Sequence, residues 1–179
     1  GGGIGGIAFL NSFDDSIDNP VFGFNKGINN GSMTASHEVG HALGLVHDGL
    51  FGSTYHPGSG SGETSWGPIM GAPFGQNIVH WSNGDYDGAT SAQQDLQVIT
   101  QAANGFGFHP DDHDEDLEAA ESLEPDVAVD GVISERSDLD AFRIATAGGS
   151  VTIDVHPVDP GPNLDIRLKL YGSSGSTLV

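Results

Sequence analysis

The spacing of apolar residues changes several times along the chain. Residues 4–10 and 20–24 are short apolar runs, and residues 11–19 between them are polar with three Asp. This predicts two short strands joined by a turn. Over residues 32–46, Met33, Val39, Ala42, Leu43 and Val46 recur at helical spacing behind Ser32, a helix-capping residue type. The pattern predicts a helix that ends or turns at Gly44, since Gly accepts the left-handed conformation common just past a helix. Residues 48–90 have little periodicity and much Gly, Ser and Pro. Such a long irregular segment inside a domain is usually functional or disordered. Ser91-Ala92-Gln93-Gln94 then reads as a capping box, and Leu96, Ile99 and Ala103 line one face of a second helix ending at Asn104-Gly105.

A break in composition follows. Residues 109–124 are dense in Asp and Glu and poor in apolar residues, which predicts an acidic linker over 109–125, with a short helix over 117–123. Beyond Pro125 the period becomes two. Phe142 and Ile144, then Val151, Ile153 and Val155, then Leu164, Ile166, Leu168 and Leu170 alternate with polar residues, with turns at Gly148-Gly149 and Pro160-Gly161-Pro162. This predicts antiparallel sheet with one wet face, a β-sandwich. The sandwich is short, and the chain stops at Leu178-Val179 inside an expected strand, so this domain is expected to be truncated. At the other end, Gly1-Gly2-Gly3-Ile4 has no initiator Met and no signal-peptide character, which predicts a processed chain or a fragment. The expected fold class is α+β, followed by a truncated antiparallel sandwich.

Composition excludes several functions. The 179 residues carry 25 acids against 5 Lys and Arg, a formal charge of −20 at pH 7. Phosphate contacts need clustered cations, so nucleic acid and anionic membrane surfaces are disfavoured partners. No stretch approaches the run of about 18 apolar residues that a membrane helix needs. Cysteine is absent, so disulfides, thiolate zinc sites and Cys nucleophiles are excluded.

The chemistry lies in the first predicted helix. His37-Glu38-Val39-Gly40-His41 fits H-E-x-x-H. Residues four apart share a helix face, so both imidazoles can reach one ion, and Glu38 can touch a water on that ion without ligating it. Gly44 and His47 extend the pattern to H-E-x-x-H-x-x-G-x-x-H, with Asp48 next. Gly44 lets the chain turn sharply so that His47 returns as a third ligand. Chance alone gives the extended pattern in roughly one in ten thousand chains of this composition, which weighs against three unrelated surface histidines. Three neutral imidazoles suit tetrahedral Zn²⁺ with one open position, and Glu38 is then the general base for peptide hydrolysis by water.

Residues 37–48 resemble the zinc signature of the metzincin metallopeptidases. That resemblance implies a tight turn carrying a Met beneath the ligands, and Pro68-Ile69-Met70-Gly71 matches it. Ile69-Met70, a small residue and Pro73 look more like the adamalysin-type branch, and no Tyr follows at the position of the extra ligand in astacins and serralysins. Residues 1–108 then resemble the later part of a metzincin catalytic domain whose N-terminal part is missing. Residues 4–10 would be the edge strand that pairs with substrate. Residues 126–179 are similar to the start of a bacterial pre-peptidase C-terminal domain, on Gly131-Val132-Ile133, the Ser137 to Phe142 segment and the Asn163 to Leu168 segment. Together these imply a secreted, extracellular bacterial zinc endopeptidase acting on protein or peptide substrates, with Met70, Gly44 and Asp48 supporting the site.

Other readings stand beside this one. A degenerate, inactive zincin with a sandwich that binds polysaccharide or protein is the non-enzymatic alternative, against which Glu38 argues. A zinc amidase acting on a non-peptide amide is the enzymatic alternative. Asn83-Gly84-Asp85-Tyr86-Asp87-Gly88 imitates half of a calcium loop, but Gln94 stands at its twelfth position, so a polar turn is expected. Asp111, Asp112, Asp114 and Asp116, and likewise Asp138 and Asp140, are candidate Ca²⁺ ligands. His56 is a candidate for lining the cleft, Trp66 and Trp81 for packing, and Asp48 for anchoring the motif by hydrogen bonds.

Overall fold

A computed structural model describes residues 5–158, 164 and 166–178. The expected turn at Pro160-Gly161-Pro162, residues 1–4, Asn163, Asp165 and Val179 lie outside the described residues. The chain is a mixed α+β protein that divides into two compact units. The first holds the described residues through Gly107 together with Pro157, Val158 and Leu164. The second holds Phe108–His156 and the described residues from Ile166 onward.

In the first unit, β1 (Gly6–Ile7) pairs antiparallel with β2 (Phe22–Gly23), and the Phe24 N–H extends the ladder to the Gly5 carbonyl. These are the cores of the two expected strands. Helix α1 (Ile28–Ala42) begins and ends four residues before the expected 32–46. Its N-cap is Gly27, at φ 87°, a conformation Gly takes without a Cβ clash. Ser32 lies inside the helix and returns its hydroxyl to the Asn29 carbonyl. The helix closes as expected around Gly44, at φ 105°: the Gly44 N–H donates to the His41 carbonyl and the Leu45 N–H to the Gly40 carbonyl. That pair of bonds is a Schellman closure, which sends the chain back across the last turn. Asn11, Ser12 and Phe13 donate their N–H groups to the His41 and Ala42 carbonyls and so satisfy the exposed helix end.

The irregular stretch after α1 contains two elements with no sequence signal, β3 (Trp66–Pro68) and β4 (Ile78–His80), paired in parallel. Three-residue strands are too short to show a period. The second helix, α2 (Asp95–Ile99), is shorter than expected and the capping box does not form. The Gln93 side chain accepts from the Val46 N–H and donates to the Gly44 carbonyl, which ties it to the α1 exit instead. Asn104 ends α2 by donating its amide to the Val98 and Ile99 carbonyls. Leu43, Leu45, Ile69, Met70 and Ile99 form the core, with Val79, Trp81 and Val98 packed against it.

The second unit pairs β5 (Glu121–Leu123) in parallel with β6 (Phe142–Ile144). The stretch expected to hold a short helix over 117–123 therefore supplies a strand. Ala120 and Ala141 are buried beside it, the Ala141 N–H donates to the Asp114 carbonyl, and Arg143 donates to the Ala120 carbonyl. Among the described residues no antiparallel sandwich forms. Val151, Ile153, Val155, Leu164, Leu168 and Leu170 are exposed and lie outside the named strands, and antiparallel pairing is limited to a Tyr171–Thr177 bridge. No described helix is long and apolar enough to cross a membrane.

Candidate metal and catalytic site

The apolar stripe suggested for helix α1 is buried only in part. Ala42 and Leu43 are buried, Val39 is 40% exposed, and Thr34, His37 and Glu38 are buried as well. The helix turns its polar face inward, where His37 and His41 stand one turn apart with ring centroids 4.8 Å from each other. The Schellman turn brings His47 back, its ring 5.3 Å from His37 and 4.7 Å from His41. One ring nitrogen from each of the three lies within 4.8 Å of the others.

Their second nitrogens are fixed by the backbone. His37 Nδ1 lies 2.8 Å from the Ile69 carbonyl and His41 Nδ1 lies 2.7 Å from the Leu45 carbonyl. A carbonyl only accepts, so each Nδ1 carries the hydrogen and each Nε2 offers a lone pair. His41 Nε2 faces His47 Nε2 at 3.0 Å. Tetrahedral nitrogen ligands about 2.0–2.1 Å from an ion sit about 3.3–3.4 Å apart, so the donor set fits a small cation. Burial pushes His47 down to about 4, and repulsion from His41 and His37 adds to this. Burial also lowers His37, with the Ile69 carbonyl opposing it and His41 reinforcing it. Both rings are therefore neutral at pH 7, the state that ligates.

Glu38 lies beside the triad, and burial raises its pKa above the ordinary carboxylate value while His41 opposes the shift. Its carboxylate lies against Gly6 of β1: a Cβ there would stand 2.5 Å from Glu38 Cγ and from Oε1. Any larger residue there would displace the Glu38 side chain. Gly6, His37, Glu38, His41, His47 and Tyr55 line one open cleft of about 660 Å³. Beneath it Met70 is fully buried, in a turn closed by the Gly71 N–H and the Pro68 carbonyl. A Cβ at Gly40 would be 2.6 Å from the Met70 sulfur, so the middle of the histidine motif needs its glycine for packing.

Two expectations change. Asp48 anchors the site by its backbone, not its side chain: its N–H donates to the Met70 carbonyl and its carbonyl accepts from His56. Its carboxylate is 1% exposed, both oxygens lack a partner, and burial pushes its pKa up to about 6. His56 does not line the cleft. It is buried between Trp66 and Tyr86, its Nδ1 accepting the Gly58 N–H.

Gly6, Gly40, Tyr55 and Asp95 were not predicted. Tyr55 has its ring 4.4 Å from His47, and nothing in the sequence pattern marks it. Asp95 is 1% exposed and accepts the Ser82 N–H; burial first, then Asp48, raises it to about 7 against that hydrogen bond.

In the second unit the structure gathers Asp111 and Asp112 with Asp140 rather than with Asp114 and Asp116. Asp114 and Asp116 instead cap local turns, accepting the Asp116 and Glu118 N–H groups. Comparison with protein-family models, curated proteins and solved structures finds no match.

Proposed function

We propose that the first unit is a zinc-dependent endopeptidase site of metzincin type, with His37, His41 and His47 as ligands and Glu38 as general base. The observation that carries it is the convergence of three imidazoles, two with their outer nitrogens fixed by carbonyls, beside a buried carboxylate in one open cleft. Zinc held there supplies Lewis acidity toward a water and a peptide carbonyl.

The chain's own groups do the rest. A Glu38 carboxylate oxygen takes the proton of the attacking water and passes it to the leaving amine nitrogen. Burial raises the Glu38 pKa, which keeps the protonated form within reach for that second transfer. The extended backbone of β1 lines the cleft next to Glu38 and offers main-chain groups to an extended peptide. Met70 supports the ligands from below through Gly40, as the resemblance implies. The family resemblance carries with it a secreted setting.

Glu38→Gln tests the reading. The variant should keep one zinc per chain and lose about 10²–10⁴-fold in casein hydrolysis, because an amide cannot take the proton. Cleavage at the parent rate would remove Glu38 as the base. Elemental analysis without stoichiometric zinc would remove the site. The inactive binding-module alternative predicts no hydrolysis by either form.

A further inference from the structure

We propose, resting on the zinc-peptidase reading above, that Tyr55 is a further catalytic residue: its phenol donates a hydrogen bond to the oxyanion that forms when water adds to the peptide carbonyl. Glu38 handles protons there. The carbonyl oxygen gains negative charge in the same step, and a fixed donor aimed at that oxygen stabilises it. The cleft offers few such side chains. No Lys or Arg lines it, and the Asn25 amide is engaged by the Thr34 hydroxyl at 2.7 Å. Asn30 stands seven residues before His37 on α1, about two turns away. Tyr55 is the donor that packs against the histidines, its ring centroid 4.4 Å from His47 and 6.4 Å from His37.

Glu38 lies against Gly6 of β1, whereas Tyr55 packs on His47 and rises from the loop behind it. Base and donor thus reach the cleft from different segments. Each is left to face a different atom of the reaction, the attacking water for one and the carbonyl oxygen for the other. The Tyr55 hydroxyl is available for this: among the described residues it makes no hydrogen bond, and the side chain is 42% exposed. Tyr86 of the same unit instead donates its hydroxyl to the Gly49 carbonyl at 2.9 Å.

The backbone that carries the phenol is anchored. The Ser53 hydroxyl donates to the Tyr55 carbonyl at 3.1 Å. The His56 N–H donates to the Asp48 carbonyl, and the His56 carbonyl accepts the Ala72 N–H, both at 2.8 Å. His56 is itself buried, so the segment cannot swing away without exposing it. A donor held in this way costs little reorganisation as charge develops. Tyr55 keeps its own proton throughout. The water oxygen bonds to the carbonyl carbon, one water proton passes through Glu38 to the amine nitrogen, and the carbon–nitrogen bond breaks. The other water proton stays with the acid product. The hydrogen bond from Tyr55 strengthens with charge on the oxygen and weakens again as the carbonyl re-forms.

The test is Tyr55→Phe in the zinc-loaded full chain, which keeps a ring on His47 and removes only the hydroxyl. Zinc content should hold at the parent value. For a casein-derived peptide, kcat should fall about 10²–10³-fold while KM stays within about 2-fold. Affinity for a phosphinic peptide, whose tetrahedral anionic group replaces the scissile carbonyl, should fall in parallel with kcat/KM. Affinity for the cleaved product peptide should not change, whereas a merely structural tyrosine would weaken both ligands alike. An unchanged kcat, a rise in KM alone, or an unchanged phosphinic-peptide affinity would overturn the role of Tyr55 and leave the zinc site standing. A wild type with neither zinc nor hydrolysis would overturn the peptidase reading and this role with it. If Tyr55→Phe fails to fold or loses zinc, the wild type bound to the phosphinic peptide decides it. Its crystal structure must place the phenol oxygen within about 3.0 Å of a phosphinyl oxygen, and a phenol directed elsewhere would overturn the proposal.

Discussion

The two clusters of ligand-type side chains are built on opposite principles. In the first unit, three imidazoles converge. Burial keeps His37 and His47 neutral, and backbone carbonyls hold the outer nitrogens of His37 and His41. Such a site costs little when empty, because neutral rings can pack against one another. In the second unit, Asp111, Asp112 and Asp140 bring one carboxylate oxygen each within 4.8 Å of the others, with Asp111 and Asp112 exposed. Water and salt screen such charges, so the group persists with or without an ion. The first arrangement is preset to ligate, and the second is not.

The comparison breaks first at His41. His41→Ala should abolish stoichiometric zinc and reduce peptide hydrolysis by about 10³-fold or more, read by elemental analysis and a casein assay. If the variant kept its zinc, the triad would not be the metal centre.

A smaller effect is expected at Gly6. A Val side chain there must displace the Glu38 carboxylate, which lies 2.5 Å from the Cβ position. Gly6→Val should leave zinc content unchanged and lower kcat about 10–100-fold, since misplacing a catalytic group by an ångström costs on that scale. A variant that loses zinc as well would show that β1 holds the ligands and not the base.

The smallest effect sharpens the contrast within the first unit, which has its own misplaced acid. Burial raises Asp95 to about 7, well above the 3.8 of the unfolded chain. Between those values the folded protein binds the extra proton, so the Asp95 contribution to stability is present at low pH and lost as pH rises through about 7. Between pH 6 and 8 this loss amounts to about 1 kcal/mol. Asp95→Asn keeps an acceptor for Ser82 and removes the titration. Denaturation of the metal-free proteins should therefore show wild type losing about 1 kcal/mol relative to Asp95→Asn over that interval. Parallel pH profiles would place the Asp95 carboxyl at its ordinary value.

The histidine cluster was legible in the sequence because its spacing is set by covalent geometry. His37 and His41 must share a face of any helix, and Gly44 marks where the chain can reverse toward His47. The sequence did not disclose burial. Val39 follows the apolar period yet faces outward, because the cleft claims the polar side of α1. Nor did it disclose long-range partners. Asp140 joins Asp111 from 29 positions along the chain, while the nearer Asp114 and Asp116 are taken up by local turns. Ser91 and Gln94 formed a sound local cap signal that lost to Gln93, whose amide ties the segment to the α1 exit. The alternation at Val151, Ile153 and Val155 specifies an extended chain but not a partner strand, and the described residues pair β6 with β5 instead.

The close fit between Met70 and Gly40 also orders how the protein meets oxidants. The chain has two methionines. Met33 lines the open cleft, where peroxide can reach its thioether. Met70 has no exposed surface, and its sulfur lies so near Gly40 that a Cβ there would be 2.6 Å away. A sulfoxide oxygen would need volume and a hydrogen bond that this packing does not provide. Oxidation at Met33 therefore marks exposure of the cleft, whereas oxidation at Met70 records that the floor under the histidines has opened. The glycine that seats the sulfur thus also shields it, leaving Met33 as the sacrificial thioether of the pair.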